Sequence, residues 1–147
     1  LNCGGTHRPE WFHRKLGDIL YEGCGVARDE AGLLDALTKV RELREEFWRD
    51  VKVVGTGNRL NQELEKAGRV ADFIELGEVM ILDALDRRES AGAHFRNEYA
   101  TEAGEAKRND GDWCAVSAWE TRPDGTKVRH SEPLSFSLID LQVRDYR

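Results

Sequence analysis

Four groups able to hold a charge or move a proton fall within nine residues of this chain: Arg88, Glu89, His94 and Arg96. Ser90 stands among them, and His94 lies between the small Ala93 and the aromatic Phe95. A histidine beside a carboxylate can shuttle protons, but only where a substrate pocket holds its partners around a reacting atom. Arginines in a polar stretch short on apolar mass gain most from a partner surface, because charge-assisted hydrogen bonds are the stronger ones. We therefore read Arg88, Glu89, Ser90, His94 and Arg96 as an interface offered to another domain. No catalytic, cofactor-binding or metal-binding residue is assigned. On this reading, Arg96→Glu leaves the stability of the isolated chain nearly unchanged.

The remaining candidates are weaker. Val51 to Gly57 places a strand-like run before a G-x-G, but the dinucleotide fingerprint needs a third Gly or Ala where Leu60 stands. A loop between two helices is the better reading. Cys3, Cys24 and Cys114 have no C-x-x-C spacing, which reads as free thiols in a reducing compartment. The histidines, at positions 7, 13, 94 and 130, are too scattered to predict a metal site.

Something must position that polar stretch, and the helix before it is the main candidate. Leu60, Leu64, Ala67, Ala71 and Ile74 recur at four-then-three spacing, which predicts one buried seam. From Phe73 to Leu85 the apolar residues cover most of the circumference, so this half should be clasped by something besides its bundle. Gly92 marks where such a helix can stop. Upstream, Pro9 suits the first turn of a helix carrying Trp11, Phe12, Leu16, Ile19 and Leu20, ended by Gly23 to Gly25. Asp29 can cap the next helix, whose apolar positions are Leu33, Ala36, Leu37, Val40, Leu43, Phe47 and Trp48. Leu37, Val40, Phe47, Leu64, Ala71 and Ile74 are the expected bundle seam, with Trp48 only half covered. The charged outer face of this helix reads as solvated, with i,i+4 pairs such as Arg41 with Glu45.

After the polar stretch the period becomes two, from Trp113 to Glu120. Pro123-Asp124-Gly125 signals a turn, and Thr126 to His130 can return as the partner strand. A further extended piece is expected through Phe136, Leu138 and Leu141 to Val143. The fold class is mainly α: an up-down-up three-helix bundle, spectrin-repeat-like, followed by a small antiparallel β region. The expected division is residues 1–100 for the bundle with its polar exit loop and 101–147 for a β tail packed on it.

The 147 residues suit one main domain, with 39% hydrophobic residues for a core and 34% charged for its surface. A net charge of -6 argues against non-specific nucleic-acid binding. No run reaches membrane-spanning length, and the opening lacks the pattern of a signal peptide. Leu1 in place of Met, with a loop-like opening, suggests a piece of a longer protein.

Particular stretches carry a resemblance. Residues 16 to 33, Leu-Gly-Asp-Ile-Leu-Tyr-Glu-Gly-Cys-Gly-Val-Ala-Arg-Asp-Glu-Ala-Gly-Leu, resemble the opening of the C-terminal helical domain of succinate dehydrogenase and fumarate reductase flavoprotein subunits. Residues 43 to 48 and 60 to 73 are similar to its second and third helices. Arg88 to Arg96 resembles the family pattern R-x-E-S-R-G-A-H-x-R, with Ala91 where the commoner pattern has Arg. An inter-domain ion pair made by that Arg in other members would be absent here. The β tail is similar to one bacterial branch of the family.

The resemblance implies a C-terminal domain that braces an FAD domain and contacts an iron-sulfur subunit. It implies FAD in the parent subunit and none in this piece, which alone should be colourless and inactive. The implied partners are the N-terminal FAD and capping domains, the iron-sulfur subunit and, indirectly, a membrane cytochrome b anchor. The parent enzyme would interconvert succinate and fumarate with quinone as electron partner, in the cytoplasm against the inner face of the cell membrane. Two other readings stay open: the C-terminal domain of L-aspartate oxidase, or a free-standing helical interaction module.

Overall fold

The computed structural model describes residues 4–56 and 59–142. Cys3, Gly57, Val143 and the basic-aromatic end to Arg147 lie outside the described residues, and so do the expectations placed on them. Two compact units appear, residues 1–108 and 109–147. Ser90 N–H donates to the Lys107 carbonyl and Lys107 N–H to that of Tyr99, holding residues 99–107 to the exit loop within the first unit.

The first unit is a bundle of α1 (Pro9–Gly23), α2 (Glu30–Asp50) and α3 (Gln62–Asp86). Pro9 opens α1 and the Asp29 carboxylate accepts from Gly32 N–H at the start of α2, both as expected. The Asn61 side chain accepts from the N–H groups of Glu63 and Leu64 at the start of α3. Gly23 at the end of α1 lies against Gly32 and Ala36 near the start of α2, so these two run antiparallel. Arg41 and Arg44 meet Glu78 and Glu75, which makes α2 and α3 antiparallel too. The topology is up-down-up. Phe12, Leu16, Leu33, Val40, Phe47, Ile74 and Ile81 form the core, with Phe12 and Phe47 edge to face at 5.2 Å. Each such side chain contributes about 1.5–3 kcal/mol when fully buried.

The α3 seam differs from the expected one. Leu60 precedes the helix, and Leu64 is 45% exposed. The inward face is Ala67, Val70, Ile74, Gly77, Ile81 and Ala84, leaving Ala71 half-buried at its edge. A stripe started at Leu60 therefore lies to one side of the true face. Glu78 also points inward, 3% exposed, and takes Arg41 at 2.7 Å and Arg44 as partners. Arg41 thus spends its charge across the bundle, not on Glu45. Trp48 is half-exposed, edge-on to Phe47.

Two short pieces tie the connectors down. β1 (Ala27–Arg28) pairs in parallel with β2 (Phe95–Arg96), and a 3-10 turn spans Asn97–Tyr99. His7 bridges Val51, so the lead-in is pinned to the end of α2. In the loop before α3, Gly55 has φ of 113° and a Cβ there would meet the Asn61 amide nitrogen at 2.8 Å. The glycine that began the G-x-G is used to pack the loop against the cap of α3.

The second unit contains α4 (Asp110–Trp113) and the antiparallel pair β3 (Ala115–Thr121) and β4 (Lys127–Pro133), in register from Ala115 opposite Pro133 to Thr121 opposite Lys127. The turn falls at Pro123 to Gly125 as expected, and β4 runs beyond His130. The Arg129 guanidinium lies 4.8 Å over the Trp113 ring. Residues 134–142 form no strand.

Candidate functional site

A helix leaves its last carbonyls without intrahelical partners. At the end of α3, Arg87 N–H still reaches the Asp83 carbonyl, and Arg96 then takes up the carbonyls beyond it. One guanidinium nitrogen of Arg96 donates to the carbonyls of Ala84 at 2.8 Å and Leu85 at 3.3 Å, while its Nε donates to Glu98 at 3.1 Å. The cation sits at the negative end of the helix dipole and is only 2% exposed.

The turn that returns Arg96 is built locally. Ala91 and His94 exchange both backbone hydrogen bonds, at 2.8 and 3.1 Å, and Gly92 takes φ of 58° between them. A hairpin turn with a positive φ at its first central position favours glycine there. Helix α3 stops six residues before this glycine, at Asp86, so Gly92 makes a turn and not the helix end. The fully buried Ser90 hydroxyl accepts from Arg96 N–H at 2.8 Å and donates to the Arg96 carbonyl at 3.1 Å. Glu89 is buried as well, one carboxylate oxygen accepting from both Nε and a terminal nitrogen of Arg87 at 2.9 and 2.6 Å.

His94 Nε2 lies 3.0 Å from the Arg87 carbonyl, which sets that nitrogen as the proton-bearing one. Burial pushes the His94 pKa below its ordinary value, and the charges of Arg28, Arg87 and Arg96 push the same way. The ring is therefore a neutral donor locked to backbone, poorly placed to exchange protons through Nε2.

The five candidate residues divide as a result. Glu89, Ser90 and Arg96 are turned inward and satisfy groups of their own unit, whereas Arg88 is exposed. Arg96 corrects the expectation of a surface charge with no part in the chain's own stability. The sequence places it correctly in a polar loop but cannot show that the loop folds back over a helix end.

A second cluster had no local signal at all. Asp50 accepts from Thr6 N–H at 3.0 Å and from the Thr6 hydroxyl at 2.6 Å, and lies 2.5 Å from His7 Nδ1. The Thr6 and His7 hydrogen bonds hold the Asp50 pKa down at about 2. The His7 ring also stacks on Trp11 at 4.1 Å. His7 and Asp50 stand 43 residues apart, joined only by the fold. Among the described residues, no group of three or more His, Cys, Asp or Glu is placed to hold a metal ion. Nor is any helix of the described residues long and apolar enough to cross a membrane.

The family described as fumarate reductase flavoprotein C-term matches residues 13–146. The chain belongs to this family. The fumarate reductase flavoprotein C-terminal family thus takes in the bundle, the closed loop and the hairpin alike. The chain is 27% identical over 147 residues to the succinate dehydrogenase flavoprotein subunit of Bacillus subtilis, covering 99% of this chain and 24% of that protein. It is 33% identical over 96 residues to the fumarate reductase flavoprotein subunit of Escherichia coli, covering 65% of this chain and 16% of that protein. The chain accordingly spans a quarter or less of the length of these curated relatives. A solved structure of a mutant Escherichia coli quinol fumarate reductase superposes with a TM-score of 0.80 at 24% identity, over 95% of this chain and 23% of that one. The Sdh1 complex of Mycobacterium smegmatis with UQ1 gives 0.69 at 24% identity, over 88% of this chain and 21% of that one. These structures share the fold.

Proposed function

We propose that this chain is the C-terminal helical part of a succinate dehydrogenase or fumarate reductase flavoprotein subunit, where it braces the FAD domain and offers surface to the iron-sulfur subunit. The observation that carries the proposal is the family match across residues 13–146. The parent enzyme then interconverts succinate and fumarate, exchanging electrons with quinone through iron-sulfur clusters. It works peripherally at the inner face of the cell membrane through its partner subunits.

The two groups weighed above for nucleotide and proton chemistry are engaged within the chain. Gly55 is committed to the cap of α3 and His94 to the Arg87 carbonyl. On this proposal FAD and the dicarboxylate site belong to the rest of the polypeptide. Within the exit loop, Glu89, Ser90, His94 and Arg96 set the shape, and Arg88 is the exposed cation left to meet a neighbouring acceptor.

The test is the full-length polypeptide with and without residues 1–147. We expect the truncated form to lose bound flavin and to stop co-purifying with the iron-sulfur subunit. Full flavin content and full assembly without these residues would refute the bracing role.

A further inference from the structure

Helix α3 is apolar on two sides, and its larger side chains are not all turned inward. Phe73, Leu76 and Met80, at three- and four-residue spacing, are exposed, whereas the small Ala67, Gly77 and Ala84 lie in the buried face with Val70, Ile74 and Ile81. Hydrophobic stabilisation grows with the apolar area removed from water. On that count the outward stripe has as strong a claim to the core as the small residues seated there. Something besides hydrophobicity therefore selects the rotation of this helix.

Glu78 is placed to do so. It stands four residues after Ile74 and three before Ile81, at a seam position, and is only 3% exposed. Burial by itself would raise its carboxyl pKa, yet Arg41 and Arg44 hold it below the ordinary value, so it is buried as an anion. One oxygen accepts from Arg41 Nε at 2.7 Å and the other from a terminal nitrogen of Arg44, which also reaches Glu75 at 3.2 Å. Both arginines come from α2, and both keep part of their side chains in water. A buried ion pair adds little net stability, because desolvation offsets the attraction, but a buried charge stripped of its partner is strongly unfavourable.

We propose that Glu78 locks the rotation and axial register of α3: by accepting arginines that α2 supplies, it excludes the rotation that would turn Phe73, Leu76 and Met80 inward. Each residue advances a helix by about 100°, so turning α3 by one residue takes the carboxylate off the α2 side. A slip of one turn moves it about 5.4 Å along the axis. Either change leaves a buried carboxylate without the donors that hold it now. Single polar residues at the seam of coiled helices specify register in the same way, at a cost in stability.

The lock reaches the exit loop as well. Ala84 and Leu85, whose carbonyls Arg96 takes up, follow Glu78 by six and seven residues on the same helix. The rotation that seats Glu78 against α2 thus also aims the end of α3 at Arg96, the residue that closes the loop exposing Arg88.

The experiment introduces Val70→Cys at a buried position or Leu76→Cys at an exposed one into the 147-residue chain, whose bundle encloses its own core. Alkylation rates under native conditions are read by peptide mapping, which separates each site from Cys3, Cys24 and Cys114. With Glu78 in place, position 76 should label many-fold faster than position 70. In Glu78→Leu, which frees both arginines to turn to water, that gap should narrow several-fold with the melting temperature unchanged or raised. Glu78→Gln keeps an acceptor that still needs those arginines, so it should retain the wide gap. A gap unchanged in Glu78→Leu would overturn the proposal, because apolar packing would then fix the rotation unaided. So would the absence of a gap with Glu78 in place, or an equal narrowing in Glu78→Gln. Faster labelling at both positions with a fall in melting temperature would overturn it too, since the pair would then hold the bundle together and not select its rotation.

Discussion

Arg96 acts as a C-cap from well beyond the end of its helix. Removing its side chain strands the buried Ala84 carbonyl, and an unsatisfied buried acceptor costs about 1–3 kcal/mol. Arg96→Ala should therefore destabilise the isolated chain by at least about 1–3 kcal/mol in urea unfolding. Arg96→Glu should cost more, because it sets an anion against Glu98 and the negative end of α3. A loss under about 0.5 kcal/mol, typical of surface positions, would return Arg96 to the solvent. His94 gives a pH signature from the same loop. Its folded pKa lies below the ordinary 6.5, so the unfolded chain takes up a proton first as pH falls. Stability present at neutral pH is then lost as pH drops below 6.5 toward the lowered folded value. His94→Gln keeps a donor for the Arg87 carbonyl without titrating, so its stability should fall less between neutrality and mild acid. Chemical denaturation across that window checks it, and identical slopes for the two proteins would refute the assignment.

On α3 the decisive quantity is which stripe faces inward. Ile74 is fully buried and Leu64 is nearly half-exposed, so Ile74→Ala should cost about 2–5 kcal/mol and Leu64→Ala about 0.5 kcal/mol or less. Equal costs in denaturant titrations would show that the helix is rotated from the orientation described. The existence and order of the helices and the ends of α1 and α2 nearest their signals were legible because Pro9, Asp29 and the Gly23 to Gly25 stop act through neighbours a few residues away. Neither the Asn61 cap of α3 nor its end at Asp86 was read. Nor was the rotation of α3 legible, because Leu64 and Val70 have similar hydrophobicity and only contact with α1 and α2 chooses between them. Charge misled for the same reason: Arg41 could pair with Glu45 on its own helix, yet Glu78 on another is near at 2.7 Å and buried. The candidate loop was legible as a polar stretch of unusual composition. Its inward-facing Glu89, Ser90 and Arg96 were not, since composition cannot tell a cation aimed at a partner from one aimed at its own helix end.

At the scale of the molecule, the two units are built with unequal means. The bundle buries an unbroken core from Phe12 through Phe47 to Ile81. The described contacts of the second unit include the β3–β4 ladder, the Arg129 guanidinium 4.8 Å over the Trp113 ring and the Glu120 pair with His130 at 2.8 Å. An isolated two-stranded hairpin is at best marginally stable in water. Among the described residues after β4, Leu134, Phe136, Leu138, Ile139 and Leu141 are all exposed. Amide exchange should reveal this imbalance in the isolated chain. Amides of β3 and β4 should exchange through local opening at a small free energy, whereas those around Val40 and Ile74 should approach the free energy of global unfolding. In the full-length polypeptide, contacts with other domains or subunits should slow the β3 and β4 amides far more than the already protected core. Exchange in the isolated chain as slow in Val116 to Glu120 as around Ile74 would mean the hairpin is stabilised within this chain alone, and its exposed tail would then need another explanation.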